Sequence, residues 1–272
     1  MNSINYYQSF KDFTPDELTD YLESACQHND IDGVKYLIGN SELSCKLSLN
    51  GHRLLYTNDN NAISIACELG HLEILDVLLS LPNIESKVEN FQYELDRGLL
   101  LAAKGGNIDV LRYLTTSPKL NKHADVKYSN GKALGLACSN GHLEVVKYVL
   151  TSPELKEHIS IHVRKGFYLL EACWNNHFEV VKYLLTSPEL KTHPDIHNNN
   201  DEIFSYALSE NQLDLIKFLI FDININENEN IKELVEEQDA TQVKAWFKLR
   251  ELNKDLKENL PGSDISSKKI KL

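Results

Sequence analysis

Gly141–Leu155 reads GHLEVVKYVLTSPEL, and this stretch decides the fold because it recurs. Asn176–Leu190 reads NHFEVVKYLLTSPEL and Gly106–Leu120 reads GNIDVLRYLTTSPKL. Weaker copies begin at Asn29 (NDIDGVKYLIGNSEL), Gly70 (GHLEILDVLLSLPNI) and Asn211 (NQLDLIKFLIFDINI). Self-similarity at a fixed period marks stacked supersecondary units rather than a single folded core. A small residue upstream of each copy fixes the frame: Ala25, Ala66, Ala102, Ala137, Ala172 and Ala207 are 41, 36, 35, 35 and 35 residues apart. Six units share it.

Each unit carries two short helical patterns. In the central one, 134–139 precedes 143–150, where Leu143, Val146, Val149 and Leu150 fall on one helical face. The Asn140-Gly141 turn between them suits a left-handed backbone. Ser117-Pro118, Ser152-Pro153 and Ser187-Pro188 then end the second helix, because proline cannot continue it and restricts the residue before it. A helix pair this short cannot bury its apolar stripe alone, so it must stack on its neighbours, with alanine where a larger side chain would hold the layers apart. The expected product is an all-α, elongated solenoid of about six helix-turn-helix units.

Over Gly131–Val146, GKALGLACSNGHLEVV, the sequence resembles the ankyrin repeat family. The likeness extends over about four-fifths of the chain and departs in two ways. The usual Thr-Pro at the start of the first helix is replaced by pairs such as Lys132-Ala133 or Phe167-Tyr168, and the period exceeds the family norm of ~33 by two residues. The TSPEL-type loop is similar to that of long-loop ankyrin proteins of bacteria that live inside eukaryotic cells and inject effectors into them. The resemblance implies a non-catalytic adaptor, a secreted effector that holds a host protein on its concave face and loop tips. It would act in the cytoplasm, translocated into the host cytosol, as a monomer. An inhibitor or regulatory subunit that occludes a partner enzyme is the alternative, since both need only a surface.

The ends read as caps, giving one ankyrin-repeat domain over residues 1–260. Thr14-Pro15-Asp16-Glu17 is a capping box with proline at the first helical position, predicting a helix over 14–28 that merges into the first unit. The units run to about residue 225. Charged capping helices follow over 231–258, with Val243, Trp246, Phe247, Leu252 and Leu256 turned inward. Residues 261–272 are expected to form a flexible tail, whose Lys268, Lys269 and Lys271 read either as a secretion or nuclear signal or as a solubilising end.

Charge excludes several functions. Against 28 Lys and Arg stand 40 Asp and Glu, a net charge of -12, which repels phosphate backbones and anionic membranes. No apolar run reaches the ~18 residues that a membrane span needs, and 1–12 lacks the basic start and apolar run of a secretory signal. Nucleic-acid binding and membrane insertion are therefore not expected.

Candidate chemistry meets the same repeat. Cys26, Cys67, Cys138 and Cys173 each follow the frame alanine, so they lie in separate layers about 8–10 Å apart, beyond the ~7 Å limit for a disulfide. With Cys45 they read as reduced thiols. His158 and His162, like His193 and His197, have ligand-like spacing but lack further donors. With no phosphate loop, no GxSxG and no nucleophile-base pairing, the chain is read as a non-enzyme without cofactor or metal.

What remains is recognition, sought where the units differ. After the frame alanine and its neighbour, the units read Gln27-His28, Glu68-Leu69, Lys104-Gly105, Ser139-Asn140, Trp174-Asn175 and Ser209-Glu210. Two readings of Trp174 stand: a hot spot for a partner, or a side chain packed under the neighbouring hairpin. The adjacent loop tips offer Lys127, Tyr128, Arg164, Lys165, His197, Asn198 and Asn199. This basic and aromatic rim on an acidic body suits an acidic or phosphorylated patch on a protein partner. Failing that, binding is expected on the loops over 41–61 or along Leu249, Leu252 and Leu256 of the last helix.

Overall fold

Thr14 starts the first helix as the capping box requires. The Glu17 amide donates to Thr14 Oγ1 at 3.3 Å, and the Thr14 amide donates back to Glu17 Oε2 at 2.8 Å, so two otherwise orphaned donors are satisfied ahead of Pro15. The computed structural model describes residues 9–49, 61–82, 84–87, 90–162, 167–238 and 240–259, and among these every regular element is helical. None of the described helices is long and apolar enough to cross a membrane. The chain divides into two compact units, Met1–His193 and Pro194–Leu272. The repeat frame, unbroken through Ala207, gives no sign of this division.

In the first unit, α1 (Pro15–Gln27) and α2 (Ile31–Gly39) form a hairpin, followed by α3 (Ser41–Leu49). The hairpin of α4 (Ala62–Leu69) and α5 (Leu72–Leu79) comes next, then the short α6 (Ile84–Lys87). Three further hairpins complete it: α7 (Phe91–Gly105) with α8 (Ile108–Thr116), α9 (Tyr128–Ser139) with α10 (Leu143–Thr151), and α11 (Phe167–Trp174) with α12 (Phe178–Thr186). The first helices α1, α4, α7, α9 and α11 pack side by side in that order, and the second helices α2, α5, α8, α10 and α12 do likewise. In the second unit, α13 (Asn198–Ser209) pairs with α14 (Leu213–Phe221), and α15 (Glu229–Glu237) and α16 (Thr241–Asn259) pack on α13 and α14 respectively.

One hydrogen bond builds every hairpin. The carbonyl of the frame alanine accepts from the amide five residues on, at 2.8–2.9 Å, in Ala25–Asp30, Ala66–His71, Ala102–Asn107, Ala137–His142, Ala172–His177 and Ala207–Gln212. This six-residue closure needs a left-handed residue just before the donor. Asn29, Gly70, Gly106, Gly141, Asn176 and Asn211 supply it, all at positive φ. The alanines are buried, five of them completely. At the turn, several side chains forgo capping their own helix and reach the preceding layer instead. His142 Nε2 meets Lys104 O at 2.8 Å, His177 Nε2 meets Ser139 O at 3.0 Å, and Asn107 Nδ2 donates to Glu68 O at 2.6 Å.

The Phe167-Tyr168 departure has a packing reason. Tyr168 is buried, and its hydroxyl donates at 2.8 Å to the carbonyl of Asn130, in the left-handed run Ser129–Asn130–Gly131 that opens α9.

Two sequence expectations are corrected. Residues 41–49 are not loop: Asn40 Oδ1 accepts from the amides of Glu42 and Leu43, and Leu43 and Leu47, one turn apart, are buried, which makes α3. The rest of that expected loop, 50–60, lies outside the described residues, as does the tail over 261–272. Val243 and Phe247 of α16 do face inward, yet Leu252 and Leu256 are 58 % and 55 % exposed.

Candidate functional site

The exposed positions of the first helices differ in chemistry from layer to layer. Trp174 ends α11 and stays 37 % exposed. Its ring stands edge-on to Phe167, two turns earlier on the same helix, with centroids 5.2 Å apart and planes at 81°. This geometry suits the aromatic quadrupole, and it means that Trp174 leans on its own helix while keeping an open face. At the same place in the preceding layers stand Glu68, Lys104 and Ser139, and Lys104 Nζ donates to Glu68 Oε1 at 2.7 Å across one layer boundary. Asn175 turns back to cap its helix, donating to Glu171 O at 2.8 Å and to Ser139 Oγ at 3.4 Å.

Just before the frame alanine, α4, α7 and α9 carry Ile65, Leu101 and Leu136, all half-buried, with Leu69 exposed beside them. In the fourth layer the same register is held by Glu171, between Phe167 and Trp174, so the row carries half-buried aliphatic side chains in three layers and an aromatic pair in the fourth, with Glu68, Lys104 and Glu171 among them. Comparing the units for the residue that differs does not bring out these aliphatic side chains, because three units share them.

The residues expected to form a basic rim fall partly outside the described residues and partly in the second unit. Lys127 and Tyr128 open α9, ahead of its left-handed run, whereas Trp174 occupies the register of Ser139 at its other end. Lys127 Nζ is held by Glu157 Oε2 at 2.5 Å, and Tyr128 stacks edge-on to Tyr93 at 6.4 Å. Arg164 and Lys165 lie outside the described residues. His197 and Asn198 belong to the second unit. There His197 Nδ1 bonds Asp201 Oδ1, and Asp201 also accepts from Asn228 Nδ2 at 2.9 Å and Asn230 Nδ2 at 3.0 Å. Asn198 opens α13; Asn198 and Asn199 lie outside the residues whose side chains are described.

A second cross-layer system lies on the other helix row, at positions 10 and 17 after the frame alanine. Lys119 Nζ meets Asp76 Oδ2 at 2.7 Å, and Tyr113 donates its hydroxyl to Asp76 Oδ1 at 2.8 Å. One layer on, the signs reverse: Arg112 meets Glu154 at 3.5 Å and lies 5.7 Å from the centre of the Tyr148 ring, whose hydroxyl bonds Thr115 at 2.8 Å. In the next, Lys147 lies 6.0 Å from the Tyr183 ring and lines a groove of about 410 Å³ with Arg112, Tyr148 and Glu189. The groove's charges are of both signs: Lys147 pairs with Glu144 at 2.7 Å, Arg112 with Glu154, and Glu189 accepts from the Tyr183 hydroxyl.

The thiols and imidazoles carry structural contacts. Burial pushes the Cys26 and Cys173 thiols up to about 12 and raises those of Cys67 and Cys138 as well, which favours the protonated thiol in all four, and all four are free. The His158 ring meets Ser152 O at 2.8 Å, His162 meets Thr192 Oγ1 at 2.8 Å, and His193 meets Leu184 O at 3.0 Å. Among the described residues no three His, Cys, Asp or Glu side chains are grouped to hold a metal ion. Compared with known proteins, the chain matches no family model and no curated protein.

Proposed function

We propose that the chain is an ankyrin-type stack of helical hairpins, and that it works as a non-catalytic protein-interaction module. The recurrent GKALGLACSNGHLEVV pattern, the shared alanine-carbonyl turn and the ordered packing of first and second helices support the fold assignment. The observation that carries the function is Trp174, 37 % exposed at the end of α11 and propped by Phe167, on a row whose preceding layers carry half-buried Ile65, Leu101 and Leu136. Tryptophan is the side chain most enriched at binding hot spots, and one already braced by a neighbouring ring loses little conformational freedom when a partner covers it. An apolar segment of a partner suits this site better than an acidic one, since the nearby Lys104 is already held by Glu68 and, of the expected rim, Lys127 is held by Glu157. The TSPEL-type loop supports placing the module among effectors that intracellular bacteria deliver to a host cytosol.

Trp174→Ala tests the reading. Affinity capture from eukaryotic lysate, quantified by mass spectrometry, should lose the proteins retained by the unaltered chain, a deficit of ~2 kcal/mol or about 30-fold in dissociation constant. The melting temperature should move only as a surface substitution moves it, by the equivalent of ~0.5 kcal/mol. If the variant unfolds, or retains the same proteins at the same level, Trp174 is not the binding centre.

A further inference from the structure

The last helix has two apolar faces, and among the described residues one is buried while the other carries exposed leucines. Val243 and Phe247 are buried, and Arg250, whose guanidinium lies 5.0 Å from the Phe247 ring, donates to the Ile225 carbonyl at 2.6 Å. These three side chains fix the inward face of α16. At about 100° per residue, Ala245, Leu249, Leu252 and Leu256 fall within an arc of about 60° on the opposite side. Ala245 is exposed and Leu249 half-buried, while Leu252 and Leu256 are the most exposed large apolar side chains among the described residues.

The spacing of this outer stripe, four, three and four residues, is that of a coiled-coil seam. Leu249 and Leu256 take the a positions, and Ala245 and Leu252 the d positions. The flanking residues choose the orientation. Lys248 and Asp255, both exposed, are consecutive g positions, and Trp246 and Asn253 are e positions. Two antiparallel copies related by a two-fold axis would set Leu249 against the second copy's Leu252, and Ala245 against its Leu256. Each Lys248 would then face an Asp255 of the other chain, twice by symmetry. A parallel pair would set Lys248 against Asn253 and gain no ion pair. We propose that the outer face of α16 docks a second copy of this chain, as an antiparallel helix pair centred between Leu249 and Leu252.

The seam is short, so a weak, reversible dimer is expected. Sedimentation equilibrium of the full chain from about 1 μM to about 1 mM should show monomer converting to dimer as concentration rises. Leu252→Asp with Leu256→Asp should raise the dissociation constant at least ~10-fold and leave the melting temperature in place, since neither side chain is buried. Lys248→Asp should weaken the dimer, and adding Asp255→Lys should restore it. With Trp174→Phe, the emission of Trp246, then the only tryptophan, should shift to the blue as the dimer forms, which a dimer through the first-helix face would not produce. A chain that stays monomeric across the range overturns the proposal and leaves the stripe to another partner. A dimer that survives the paired aspartates also overturns it, and one that the charge exchange does not rescue overturns the antiparallel register.

Discussion

The two helix rows of the first unit vary from layer to layer in different ways. On the second-helix row the variation is compensated: where the helix carries Asp76 the next layer's loop supplies Lys119, and where it carries Arg112 the loop supplies Glu154. On the solvent face of the first-helix row, Glu68 meets Lys104 across a layer boundary, whereas Trp174 stands edge-on to Phe167 of its own helix and is 37 % exposed. Variation between repeats is therefore not in itself a mark of binding. A position that differs together with its cross-layer neighbour serves the stack; one that differs and stays open is available to a partner.

The strongest way to sharpen this contrast is within one helix. Ala137 and Ser139 of α9 are two residues apart, the first wholly buried in the frame column and the second in the register of Trp174. Ala137→Leu should overpack the layer contact and cost ~1–3 kcal/mol in chemical denaturation. Ser139→Trp, which copies the next layer's residue, should cost no more than ~0.5 kcal/mol. If the alanine change were tolerated as well as the serine change, the frame column would not be the inter-layer contact.

How much of this could be read from the chain alone follows from the distance over which each feature is built. The alanine column, the left-handed Asn or Gly at the turn and the Thr14 cap are local, and their spacing shows in the sequence. The Phe167–Trp174 pair is equally local, since seven residues bring the two rings to the same face of α11. Lys119 with Asp76, or His177 with the Ser139 carbonyl, pair residues 38 to 43 apart whose meeting depends on how the loop folds back on the preceding layer. Leu252 and Leu256 read both as inward cap residues and as part of a fallback binding face, because helical periodicity gives α16 two apolar faces and does not say which one the neighbours cover.

A smaller effect tests compensation directly. Lys119→Glu places two carboxylates together at Asp76 and should lower stability by ~0.2–1 kcal/mol, the range of an exposed pair. Adding Asp76→Lys rebuilds the arrangement of the following layer, a basic helix residue under a glutamate, and should recover most of the loss at low salt. If the double variant is no more stable than the single one, the ladder reports composition rather than matched layers.

The smallest expected effect concerns the same carboxylate and its titration. The hydrogen bond from Lys119 holds Asp76 below the usual carboxylate range, assisted by the Tyr113 hydroxyl and the Lys119 charge and opposed by partial burial. A carboxyl whose folded value is depressed contributes stability that is fully present above the unfolded value of ~3.9 and is lost as pH falls through the folded value. Asp201, also lowered despite its burial, has the same sign, whereas burial raises Asp96 and gives it the opposite one. Acid unfolding of the unaltered chain therefore mixes contributions of both signs, and only a difference isolates Asp76. Asp76→Asn keeps the shape and an acceptor for Tyr113 but removes the charge. Its deficit against the unaltered chain should be constant from pH 7 to about pH 5 and shrink below about pH 4 as the carboxylate is protonated in both states. A deficit that persists undiminished in acid would mean that Asp76 acts through packing alone, and the charge matching between its layer and the next would lose its first rung.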